Sequence, residues 1–172
     1  MSTKDPGFTL IELLIVVAII GIIAAIAVPG LLRAKQSGNE ASAIASVRAV
    51  TSAQSTFASS CGGGGYAQSL SDLGKAPAGG VPFISPDLVG GVKSGYNVAV
   101  EDGLNAVDVL VAANTCNASA ANSRSTFFAH VEPVQVGSTG QRSFASDHRG
   151  TIYQLATGAA IANTMAGAQV LQ

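Results

Sequence analysis

The chain has 172 residues, nine of them lysine or arginine and ten acidic, for a net charge of −1 at pH 7. Only 11% are charged and 48% are hydrophobic, a balance that excludes a strongly basic nucleic-acid binder. The length suits one modest domain beside a long helix.

Residues 1–7 form a short polar leader, with Lys4 and Asp5, that ends at Gly7. A single apolar run follows over 8–28, from Phe8 to Val28, and one carboxylate, Glu12, lies near its start. As a helix this run measures about 31 Å, close to the hydrocarbon thickness of a bilayer. A secretory signal peptide needs only about 7–15 apolar residues followed by a small-residue cleavage site, and here the small residue precedes the run. A plain single-pass anchor explains the length but not Glu12, because an acid inside a membrane segment is costly and marks a functional position.

The sequence Gly7-Phe8-Thr9-Leu10-Ile11-Glu12, with the apolar run to Pro29, resembles the type IV pilin family, including the pseudopilins of type II secretion. The resemblance implies a prepilin peptidase that cuts between Gly7 and Phe8 on the cytoplasmic side and methylates the new amine of Phe8. It also implies an inner-membrane assembly platform, storage in membrane lipid, and polymerisation with copies of the same chain into a helical filament. After cleavage the Phe8 amine and Glu12 lie one helical turn apart on one face, and neither charge is stable alone in lipid. Two arrangements follow. Glu12 of an incoming subunit seeks the Phe8 amine of a neighbour, the register-setting role the family implies, or the two groups pair within one helix.

Gly21, Pro29 and Gly30 weaken the next stretch. Proline removes a backbone donor and clashes one turn back, while glycine lowers helix stability by about 1 kcal/mol. Residues 21–30 are therefore where the helix is expected to kink or stretch; the pilin resemblance implies local melting during assembly, and a simple proline kink at the membrane edge is the other reading. Over 29–60 the helix continues as an amphipathic half, with Ile44, Val47, Val50 and Phe57 near one face. It stops at Cys61 and the four glycines that follow.

Residues 61–95, rich in Gly, Pro and Ser, read as a connecting loop with a short turn at Leu70 to Leu73. Over 96–156, strand-like runs occur at Tyr96–Val100, Val107–Ala112, Thr126–Val131, Ser143–Ser146 and Thr151–Leu155, the last two joined by a hairpin at Asp147 to Gly150. No helical pattern separates them, so the expected fold class is α+β: a long N-terminal α-helix packed against a C-terminal antiparallel β-sheet. The tail, 157–172, carries no assignable pattern. An even cysteine count in a domain outside the cytoplasm points to a disulfide between Cys61 and Cys116, with two free thiols as the alternative. Pilins commonly place their bridge nearer the C-terminus, so this position departs from the family.

Lys4 precedes the apolar run and Arg33 and Lys35 follow it, so charge alone does not set the topology. The leader motif and the expected disulfide place the C-terminal domain outside the bacterial inner membrane before assembly, and in an extracellular pilus afterwards. Arg124, His130, Arg142, His148 and Arg149 form a modest basic patch for nucleic acid if they share a face; otherwise they are solvated side chains. No zinc spacing, nucleophile elbow or complete phosphate loop occurs, so neither catalysis nor a metal or cofactor is expected. Three readings remain: the subunit of a surface pilus used in adhesion, motility or DNA uptake; a type II secretion pseudopilin; and a minor pilin that binds DNA or surfaces.

Overall fold

The computed structural model describes residues 7–171, so the leader expected over 1–7 lies, apart from Gly7, outside the described residues. The chain divides into two compact units, Met1–Lys35 and Gln36–Gln172. One helix, α1, spans Leu10–Ser60 and contains Pro29. In the first unit its side chains are exposed, and none of its most apolar 18-residue stretch is buried within the chain. It is long and apolar enough to cross a membrane.

In the second unit α1 buries one stripe: Glu40, Ala43, Ser46, Val47, Val50, Ala53, Gln54 and Phe57. The stripe faces Val98, Val100, Phe127, Ala129, Val131 and Phe144, which together with it form the main core. These come from a six-stranded antiparallel sheet of β1 (Val92–Lys93), β2 (Tyr96–Asp102), β5 (Phe127–Pro133), β6 (Ser143–Asp147), β7 (Ile152–Leu155) and β8 (Gln169–Val170), adjacent in that order. In β2 and β5 alternate residues are buried, the pattern of strands with one face on a core. A second sheet pairs β3 (Asp108–Leu110) with β4 (Ser123–Arg124).

Two segments carry more structure than the sequence reading gave them, α2 standing where the short turn at Leu70 to Leu73 was expected. The 61–95 segment carries two short helices, α2 (Leu70–Gly74) and α3 (Pro86–Val89), and the edge strand β1. Ser69 caps α2 by accepting from the Asp72 N–H, and Leu70, Leu73 and Leu88 are buried. The tail over 157–172 is a second covering layer: Ile161 packs on Phe128 and Ala145, with Leu155, Met165 and Ala168 around them. Every residue of β6 is consequently buried. The tail then supplies β8, which pairs with β7 through Tyr153–Val170 and Gln154–Gln169.

The disulfide forms between Cys61 and Cys116, tying the end of α1 to the loop after a single 3-10 turn at Ala112–Asn114. Around it the Asn117 side-chain amide donates to the carbonyls of Asp72 and Lys75, at 2.7 and 3.0 Å. The Asp72 carboxylate accepts from the Ala120 N–H at 2.6 Å, and Lys75 donates to the Ala118 carbonyl. This loop is thus docked by polar contacts as well as by the bridge.

Candidate assembly and processing site

Gly7, Phe8 and Thr9 precede the helix in non-helical, exposed backbone. Thr9 starts it. Its Oγ1 accepts from the Glu12 N–H at 3.2 Å, and its own N–H and hydroxyl donate to Glu12 Oε2 at 3.0 and 2.7 Å. This reciprocal pairing is a capping box, which satisfies otherwise orphaned donors of the first turn. The Thr-x-x-Glu spacing that announces it is present in the sequence at Thr9 and Glu12. Both oxygen contacts fall on Oε2; Oε1 has no protein partner among the described residues.

Residues 21–30 are helical throughout, with Pro29 inside α1. A side chain built at Gly21 or Gly30 would meet nothing within 4 Å, so packing among the described residues does not demand glycine at either position. Cys61 and Cys116 are far from these residues in sequence and serve the second unit alone.

In that unit four of the five basic residues singled out in the sequence lie against acids, and His148 is in no ion pair among the described residues. Arg124 bridges Asp102 and Asp108, both at 2.7 Å, and its pKa is raised, first through its hydrogen bond to Asp102. Arg149 pairs with Asp147 at 2.6 Å. Burial pushes the Asp147 carboxyl upward, but the Arg149 hydrogen bonds outweigh it and hold the pKa below the usual range. His130 Nε2 lies 3.3 Å from Glu101, its ring stacked on Phe128. Arg142 pairs with Glu40 at 2.7 Å. The arginine pairs neutralise the three arginines of the expected basic patch where they stand.

Glu40 joins α1 to the sheet region. Its carboxylate accepts from the backbone N–H groups of Gln141 and Arg142, at 2.9 and 3.2 Å, and from the Arg142 guanidinium. Burial raises its pKa, yet these hydrogen bonds and the adjacent cation give a net lowering. The buried Tyr96 hydroxyl donates to the Arg142 carbonyl at 2.9 Å, and burial beside Glu40 pushes its pKa up to about 12. Gly140 leaves room for that hydroxyl, since a Cβ there would collide with it.

Two comparisons with known proteins bear on this arrangement. Residues 3–28 match the family described as the prokaryotic N-terminal methylation motif. The chain is also similar to the type IV major pilin protein PilA of Myxococcus xanthus (strain DK1622), at 35% identity over 128 residues, covering 59% of this chain and 56% of that protein. It thus spans just over half the length of that curated relative. No solved structure matches. The chain is thus similar to a type IV pilin in its long apolar N-terminal helix and over 59% of its length.

Proposed function

We propose that this chain is a structural subunit of a type IV pilus, and not an enzyme. In this reading a prepilin peptidase cleaves between Gly7 and Phe8 and methylates the Phe8 amine. An inner-membrane platform then polymerises the chain through its N-terminal helix into a surface filament. The observation that carries the proposal is the extent of the similarity to a major pilin, since 59% of the chain cannot be supplied by the motif over 3–28 alone.

The geometry gives the two ends of the process a physical basis. The Gly7–Phe8 bond lies outside the helix, where its backbone is open to a peptidase. Before cleavage Phe8 has no charged amine, and Thr9 supplies hydrogen bonds to Glu12 in its place. After cleavage Oε1 remains available to an ammonium group, from the same helix or from a neighbour. The segment with Gly21, Pro29 and Gly30 is helical in the subunit and is the part least able to hold that form under the demands of packing. Before assembly the chain is a single-pass inner-membrane protein with its second unit outside.

Glu12→Val tests the assembly role. The variant is expected to be processed and membrane-bound, while sheared filament falls at least about tenfold, because truncating one partner of a buried charge pair costs about 2 kcal/mol or more. Filament yield equal to the unaltered chain would remove Glu12 from the mechanism.

A further inference from the structure

We propose, resting on the pilus reading, that the loop between β5 and β6 is a lipid-docking surface, which seats the second unit on the headgroup layer of the membrane before assembly. The loop begins Val134-Gln135-Val136-Gly137-Ser138, and no residue from Pro133 to Gln141 is charged. Val134 and Val136 are 54% and 51% exposed, and Gln135, Gly137 and Ser138 beside them are exposed too. An uncharged surface carrying apolar side chains approaches lipid without stripping water from an ion.

The loop is held in one shape by its own hydrogen bonds. The Thr139 hydroxyl accepts from the Gln135 N–H at 3.1 Å, and the Thr139 N–H donates to the Gln135 carbonyl at 2.9 Å. The Gly137 N–H donates to the Gly140 carbonyl at 2.8 Å, with Gly137 at a φ of 82° that favours glycine. The Val134 N–H ties the loop to the sheet side by donating to the Gly95 carbonyl at 3.0 Å. Two amides of α1 then clamp it: Gln36 donates to the Gly137 carbonyl at 2.6 Å and Asn39 to the Thr139 carbonyl at 2.8 Å. Both valines are therefore displayed on a fixed turn.

The clamps also say where in the second unit the loop lies. That unit begins at Gln36, so the loop is at the end where α1 enters. In the sequence the apolar run reaches Leu32; Arg33 and Lys35 follow, exposed and in no ion pair among the described residues. Phe8 to Leu32 measures about 37 Å as a helix, enough to fill a hydrocarbon core of about 30 Å. The two cations then fall among the headgroups, where long basic side chains settle, and Gln36 is the next residue of the same helix. The occupant of the loop's apolar surface is accordingly lipid, continuous with the lipid around the run. Two half-exposed valines offer far less than the roughly 800 Å² per partner of a stable protein interface. An inserted helix, by contrast, keeps the loop beside lipid at high effective concentration.

The chain contains no tryptophan, so a single introduced one reports alone. The full-length chain carrying Val136→Trp is reconstituted in vesicles of phosphatidylethanolamine and phosphatidylglycerol whose acyl chains are brominated near the headgroup. Its fluorescence is expected to fall about twofold or more relative to unbrominated vesicles, because the ring sits at headgroup level. Adding Val134→Asp is expected to return most of that loss. Val17→Trp, in the apolar run, is expected to be quenched as a report of helix insertion. Val107→Trp, 61% exposed beside β3, is expected to be unquenched, which shows that the ring does not seek lipid by itself. Intact mass with the disulfide closed establishes folding, and Val134→Trp is the second reporter because Val136 lies close to Gly158. Quenching at Val17 with none at Val136 or Val134 would overturn the docking surface and leave the pilus reading intact. A loop reporter shielded from water yet unquenched, in proportion to protein density, would mean that a second copy covers the loop, and would overturn it equally. No quenching at Val17 would overturn both.

Discussion

Glu40 is the residue on which the second unit's polar architecture converges. It brings a carboxylate from α1 to two backbone donors and one guanidinium a hundred residues away in sequence. Replacing it with alanine leaves those donors and Arg142 without their acceptor, and should cost about 1–3 kcal/mol of stability, measurable as a lower denaturation midpoint of the chain in detergent. The pH dependence has a definite sign. The folded-state pKa of Glu40 lies below its ordinary value, so its contribution is complete above the usual glutamate range. It is lost as pH falls through the depressed value. Glu40→Ala should therefore differ from the unaltered chain at neutral pH and converge with it in acid; a constant difference across that range would contradict the assignment. None of this was legible in the sequence, where Glu40 is a single acid on the half of the helix beyond the apolar run. Glu12 was legible because an acid is conspicuous in an apolar run, whereas its partnership with Thr9 depends on where the helix begins.

Among the elements, the disulfide is the one whose removal has the clearest expected effect. Cys61 and Cys116 are 55 residues apart, and loss of the bridge should cost about 2–4 kcal/mol. Exchanging both cysteines for serine should lower the melting temperature. An unchanged value would mean that the Asn117 and Asp72 contacts hold the loop unaided. The strand-like runs of the sequence overlap β2, β3, β5, β6 and β7. Alternation marks β2 and β5 directly, whereas β6 is buried throughout and β3 belongs to the second sheet rather than the main one. The two-residue strands β1, β4 and β8 are too short to carry a period. The tail was illegible for a related reason. Its alanines and glycines present no apolar stripe, and its covering role rests mainly on Ile161 finding Phe128 and Ala145.

For the whole molecule, the two units answer to different solvents. The first exposes a long apolar helix, with Glu12 near its start, that none of the described residues covers; in the proposed reading lipid or other copies of that helix cover it. The second closes its own core on both faces of the sheet and keeps a disulfide, which persists in oxidising compartments. That contrast was readable in the sequence because composition changes abruptly near Arg33 and the cysteines fall on one side only. The use of the filament was not, since adhesion, motility and DNA uptake place the same demands on the N-terminal helix.

The central claim is most directly tested by shearing cells and measuring the intact mass of the protein in the released and membrane fractions. The account predicts an abundant released species that begins at N-methylated Phe8 with the disulfide closed, alongside a membrane-stored pool. A chain still beginning at Met1 in both fractions, with none released by shear, would contradict it.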